Sequence, residues 1–143
     1  MEYGINIGFI ANKTGMKKAA EIISKAGFTQ LDYTPPLHED NWAEIMKEDM
    51  KIFEGNGLVV HQTHGPFNRY RTYNDELFLS CIERCAEVTE YTKAKYMVVH
   101  ADEFDIENRA FTDEAAKEYN HKLYKPYVER ALKNGYKIAF ETV

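Results

Sequence analysis

One joint recurs along this chain and limits what it can fold into. Ala26-Gly27-Phe28, Asn56-Gly57-Leu58 and Asn134-Gly135-Tyr136 each place a glycine between a helix-like segment and an apolar residue that opens a strand-like one. Ala94-Lys95-Tyr96 holds the same place without the glycine. A glycine just past a helix is a common C-terminal stop. Helices that repeatedly feed strands imply parallel pairing through helical crossovers.

The segments between the joints fit that reading. Gly4 to Phe9 predicts a first strand. Met16, Ala19, Ala20, Ile22, Ile23 and Ala26 recur at helical spacing, and Phe28 to Tyr33 predicts the second strand. Asn41 and Glu44 form a capping-box pattern for a second helix, whose apolar face is Trp42, Ile45, Met46, Met50 and Phe53. Leu58 to His64 predicts strand three, Asn74 to Thr92 a long amphipathic helix, and Tyr96 to His100 strand four. Thr112 is placed to cap a fourth helical region. Pro126, which lacks an N–H, should divide that region into two pieces near Tyr124-Lys125. Tyr136 to Thr142 predicts strand five.

Two architectures satisfy such alternation: an open doubly wound sheet and a barrel. Neither GxGxxG nor a P-loop pattern follows the first strand, which removes the usual nucleotide-binding support for the open sheet. A complete (β/α)8 barrel takes ~250 residues. The 143 residues hold about five strands and four helical layers. The expectation is therefore α/β, the first half of a (β/α)8 TIM barrel, as a single truncated domain over residues 1–143. No linker or low-complexity stretch divides it.

Charge and composition narrow the function. A net charge of -5 disfavours nucleic acid as the main partner, because such proteins usually carry a basic face. No apolar run reaches the ~18–20 residues that span a bilayer, so no membrane role is expected. Met1-Glu2-Tyr3-Gly4 lacks the basic and apolar regions of a secretory signal, making cytoplasmic the default expectation. Cys81 and Cys85 lie four apart on one helix face and read as small, reduced core residues.

Three polar residues share one structural address. His64 ends strand three, His100 strand four and Glu141 strand five. In a parallel barrel these C-terminal ends converge on the face where active sites sit. Two imidazoles and a carboxylate suit zinc, manganese or a similar divalent ion. Counting by twos puts Gln62 with His64, Val98 with His100 and Ala139 with Glu141 on one face, and turns His61 to the other, toward the helices. Asp32, at the end of strand two, is either a member of the same rim or a solvated turn residue before Thr34-Pro35. Arg69 or Arg71, in the segment after strand three, can pair with a phosphate or carboxylate. His38 and His121 read as surface residues, and the acidic stretch 102 to 107 as a solvated loop. No GxSxG nucleophile elbow is present.

These motifs resemble a known family. His64-Gly65-Pro66-Phe67 is similar to the His-Ala-Pro-aromatic motif of xylose isomerase-like barrels, which include sugar-phosphate isomerases and epimerases and the zinc-dependent AP endonucleases. Tyr96-Met97-Val98-Val99-His100 resembles their fourth strand. Lys125 to Glu129 and Asn134 to Thr142 resemble the segment leading to the family's metal-binding glutamate, which falls on Glu141. The resemblance covers the whole chain.

It implies metal-assisted isomerisation or epimerisation of a small carbohydrate in the complete barrel. Glu141 is then a metal ligand with proton-transfer duty. His64 and His100 bind metal, as in the nuclease branch, or substrate hydroxyls, as in the sugar branch, with Arg69 as a further substrate contact. The family's remaining ligands come from later strands, so a divalent ion (Mn, Zn or Mg) is expected at low occupancy, with weak activity or none. Two alternatives stand beside this: an AP endonuclease-like nuclease, and a non-enzymatic half barrel. In either case the two open sheet edges favour a homodimer that covers the open side.

Overall fold

A computed structural model describes residues 4–67, 75–101 and 113–141. Strands and helices alternate within them. The order is β1 (Gly4–Asn6), α1 (Gly8–Thr14), α2 (Met16–Lys25), β2 (Gln30–Asp32), α3 (Trp42–Gly55), β3 (Val59–His64), α4 (Asp75–Thr92), β4 (Tyr96–His100), α5 (Asp113–Asn134) and β5 (Lys137–Glu141). The strands form one parallel sheet in the order β1-β2-β3-β4-β5. A doubly wound sheet reverses its strand order at a switch point. Without a reversal, right-handed crossovers carry every helix to the same face. The architecture is thus an α/β half barrel. No described helix is long and apolar enough to cross a membrane.

Register fixes which side chains share a face. Leu31 is level with Val60, Thr63 with Met97, and Val99 with Phe140. These residues face the helices, and Leu31, Val60, Thr63, Met97 and Val99 are all buried. There they meet Ile23, Phe53, Phe78, Ile82 and Val88 in one core. Thr63 is polar but satisfied: its hydroxyl lies 2.6 Å from that of Thr89, which itself donates to the Cys85 carbonyl. Cys81 and Cys85 are buried free thiols, and burial pushes Cys85 up to about 12. The opposite, inner face carries Asn6 level with Asp32, Asp32 with Gln62, His64 with Val98, and His100 with Glu141.

The recurring joint is a single device. Phe28, Leu58, Ala94 and Tyr136 each donate an N–H to the carbonyl five residues back, at 2.9–3.2 Å. The residue before each has a left-handed φ: 87° at Gly27, 68° at Gly57, 57° at Lys93 and 82° at Gly135. This is the Schellman helix end, with the apolar residue after it turned back into the core.

Four expectations change. β1 stops at Asn6 because the Asn6 side chain accepts the Gly8 N–H at 3.0 Å, turning the chain into the extra helix α1. Among the described residues there are therefore five helices rather than four. Asn41 precedes α3 without a side-chain cap bond. Its φ of -94° and ψ of 20° are not the extended values a capping residue needs. Pro126 sits inside an unbroken α5. It lies on the exposed side, where solvent can meet the Lys122 carbonyl that loses its partner. Lastly, β2 and β3 slip by one residue: Leu31 is level with Val60 but Asp32 with Gln62, so His61 is a bulge. His61 therefore does not pack on the helices. Its ring lies 5.5 Å from Tyr96, and it lines the same hollow as Gln30 and Gln62. The expected cap Thr112 and the expected helix start Asn74 lie outside the described residues.

Candidate metal centre

The C-terminal ends of β3, β4 and β5 bring His64, His100 and Glu141 together. His64 Nε2 lies 3.1 Å from His100 Nε2 and 3.1 Å from Glu141 Oε2; His100 Nε2 lies 3.6 Å from that oxygen. A triangle with these sides has its corners about 1.9 Å from a common centre, close to the ~2.0–2.2 Å that imidazole nitrogen and carboxylate oxygen keep from zinc. The three are the described His/Cys/Asp/Glu group with donor atoms close enough to hold one ion. Exposure grades across the site. The His100 side chain is 5% exposed, that of His64 21% and that of Glu141 49%, so the site opens at its Glu141 side.

The two histidines are held by different means. Thr34, which Pro35 follows and so biases toward extended backbone, accepts the His64 N–H at 2.7 Å and donates to the His64 carbonyl at 2.9 Å. Gly65 approaches β4 so closely that a Cβ there would lie 3.2 Å from the Val98 carbonyl. Its N–H donates to that oxygen at 2.7 Å. On the next strand, Tyr124 of α5 donates to the His100 carbonyl at 2.8 Å. Phe67 stacks on the His100 ring with centroids 4.2 Å apart.

The electrostatics separate the two histidines. The hydrogen bond to Asp32 is the largest influence on His64; with the charges of Asp32 and Glu141 it outweighs burial and raises the imidazole. Burial, then the charge of His64, lowers His100. Burial pushes Asp32 up, yet hydrogen bonds from His64 and Asn6 outweigh it and hold the carboxyl below its ordinary value. A proton on His64 Nε2 would face both the His100 nitrogen and the Glu141 carboxylate. A cation at the same point would meet the same donors.

Of the two readings of Asp32, the structure shows the rim position: its Oδ2 lies 3.5 Å from His64 Nδ1. Asn6, Thr34, Phe67 and Tyr124 were not singled out from sequence, because their contacts to the site come from other strands and helices. Only Phe67 carried a signal, as the aromatic of the His-Gly-Pro-Phe motif. His38 lines a hollow of about 370 Å³ with Asn6, Asn12, Asp32 and His64, nearer the site than a plain surface residue. His121 is exposed on α5. Arg69, Arg71 and residues 102 to 107 lie outside the described residues.

No family model matches the chain, and no curated protein matches it. Solved structures do. A D-tagatose 3-epimerase-like protein superposes with a TM-score of 0.74 at 18% identity, covering 100% of this chain and 53% of that one. A xylose isomerase domain protein from Alicyclobacillus acidocaldarius subsp. acidocaldarius gives 0.63 at 19% identity, covering 100% of this chain and 50% of that one. The fold is that of the N-terminal half of a xylose isomerase-like barrel. The chain spans about half the length of these structures.

Proposed function

We propose that this chain supplies half of a divalent-metal-dependent isomerase or epimerase acting on a small carbohydrate, with His64, His100 and Glu141 as its metal-binding corner. The observation that carries this is the convergence of three donors on one point at the end of the strands. Two imidazoles and one carboxylate favour zinc or manganese over magnesium, which prefers oxygen ligands. A bound ion would polarise a substrate carbonyl. Glu141 turns Oε2 to the histidines, and its half-exposed carboxylate would take a proton from the carbon beside that carbonyl. The 370 Å³ hollow, lined by Asn6, Asn12, Thr34 and His38, offers hydrogen-bonding groups suited to sugar hydroxyls. The names of the structural neighbours point the same way.

The test is proton exchange. The zinc- or manganese-loaded protein, incubated with a panel of ketoses and aldoses in D2O, should incorporate deuterium next to the carbonyl. A loaded protein that labels no sugar on the panel would overturn the reading. A second reading, a zinc nuclease of the AP endonuclease type, is favoured by the donor trio and opposed by the charge of -5. Cleavage of an abasic duplex at low salt would establish it.

We also propose that two copies associate through the open sheet. β1 and β5 stand at its edges, and Val59 on the inner face and Phe140 on β5 are 59% and 50% exposed. Light scattering should give about twice the 16.6 kDa chain mass. A monodisperse monomer at high concentration would contradict this.

A further inference from the structure

The two histidines of the site are oriented by unlike means, and the difference assigns a role to residues outside the donor trio. His100 has packing around its ring: it is buried and stacked on Phe67, and its Nδ1 meets no hydrogen-bond partner among the described residues. His64 is more open and has a polar partner instead. Its Nδ1 lies 3.5 Å from Asp32 Oδ2. That oxygen also accepts the Asn6 side-chain N–H at 3.1 Å, while Asn6 Oδ1 accepts the backbone N–H of Gly8 at 3.0 Å. A line of contacts thus runs from the start of α1 through β1 and β2 to the ring of His64 on β3.

We propose that Asp32, fixed by Asn6, is the positioning residue of the metal centre: it holds the proton of His64 on Nδ1 and so presents Nε2 as a ligand. This rests on the metal-binding reading above. A carboxylate behind an imidazole sets its tautomer and ring orientation and makes the other nitrogen a better donor. The bulge at His61 is what makes the arrangement possible. Were β3 to continue in register from Val60, Asp32 would be level with His61, and His64 would fall on the helix face. The extra residue shifts the alternation by one and puts Asp32 and His64 on the same side.

Cobalt(II) titration, followed by visible absorption and calorimetry, tests this on the full chain beside thermal unfolding of each metal-free variant. Asp32→Ala should bind cobalt ~10–100-fold more weakly than the wild type, the usual cost of losing such a partner. Asp32→Asn, which keeps an acceptor of the same shape without the charge, should recover part of that loss. Both variants should unfold near the wild-type temperature, whereas a merely structural role would lower stability and leave the affinity of the folded protein unchanged. Wild-type and Asp32→Ala proteins of equal affinity would overturn the role of Asp32 alone. A wild-type protein that takes up no cobalt would overturn the metal reading and this role with it.

Discussion

Met97 and His100 lie three residues apart on one short strand and leave it on opposite faces. Met97 is wholly buried among apolar side chains, and even the polar neighbour on its face, Thr63, has its hydroxyl paired with Thr89. His100 is nearly as buried, but its ring nitrogen Nε2 points at another imidazole and its Nδ1 has no hydrogen-bond partner among the described residues. On the helix face the Thr63 and Thr89 hydroxyls pair with one another. The inner face gathers two imidazoles and a carboxylate around one point. Local agreement at every position is the mark of a sequence that specifies its fold, and departures from it cluster at functional sites. The helix face should therefore carry stability, and the inner face chemistry.

The largest effect expected from that contrast is on the helix face. Met97→Ala should lower unfolding free energy by ~2–5 kcal/mol, the range for truncating a fully buried large side chain. Denaturant titration measures it; a loss below ~1 kcal/mol would mean that this face is not the core. On the inner face the effect should move from stability to binding. Glu141→Ala removes a half-exposed ligand, so unfolding should change by no more than ~0.5 kcal/mol. Metal affinity should fall by ~100-fold or more, since loss of a ligand exceeds the 10–100-fold cost of losing its support. Unchanged zinc affinity by calorimetry would remove Glu141 from the site.

How much of this was legible in the sequence depended on how local each cause is. The joints Gly27-Phe28, Gly57-Leu58 and Gly135-Tyr136 are local, so strand count and helix ends could be read directly. His64, His100 and Glu141 could be placed together because a parallel barrel brings strand ends to one rim. The bulge at His61 could not be seen, because it exists only in the pairing of β3 with β2. Counting by twos still put Gln62 with His64, since both follow the slip, but assigned His61 to the wrong face. Thr34 and Asn6 escaped for the same reason: each reaches the site across neighbouring strands. Pro126 misled because exposure, invisible in the sequence, decides whether a lost helix bond can be met by water.

A smaller effect probes an interior group that is polar for no evident catalytic reason. Asp49 on α3 is buried and accepts a hydrogen bond from Tyr33 at 2.8 Å. Burial raises its carboxyl above the usual value; the Tyr33 bond opposes this, and the charge of Glu48 adds to it. A raised acid favours the folded state in its protonated form. Its contribution is complete below the ordinary carboxylate pKa near ~3.9 and is lost as pH rises through the folded value. Asp49→Asn cannot ionise, so its stability relative to the wild type should be lowest at acid pH and rise toward neutrality. Urea titrations across pH 4 to 7 measure this. A difference independent of pH would show that Asp49 titrates alike in the folded and unfolded chains.

The smallest effect returns to the helix ends and compares the joints with one another. Gly27, Gly57 and Gly135 take left-handed φ values at no steric cost, whereas Lys93 takes 57° with a Cβ in place. A non-glycine residue there costs ~1–2 kcal/mol, and the hydrogen bond from Ala94 to the Thr89 carbonyl holds it in place. Lys93→Gly should relieve that strain. The greater freedom glycine gives the unfolded chain, worth ~0.4–1 kcal/mol, offsets part of the gain. A net stabilisation of roughly 0.5–1 kcal/mol is expected. Gly135→Ala should do the reverse by a similar amount, because a Cβ at Gly135 meets nothing within 4 Å and only the backbone angle resists it. Denaturant midpoints that move in opposite directions for the two variants would establish that one backbone requirement governs all four joints. Midpoints that fall together would show that Lys93 stabilises its helix end through its side chain, and that the fourth joint differs from the other three in kind.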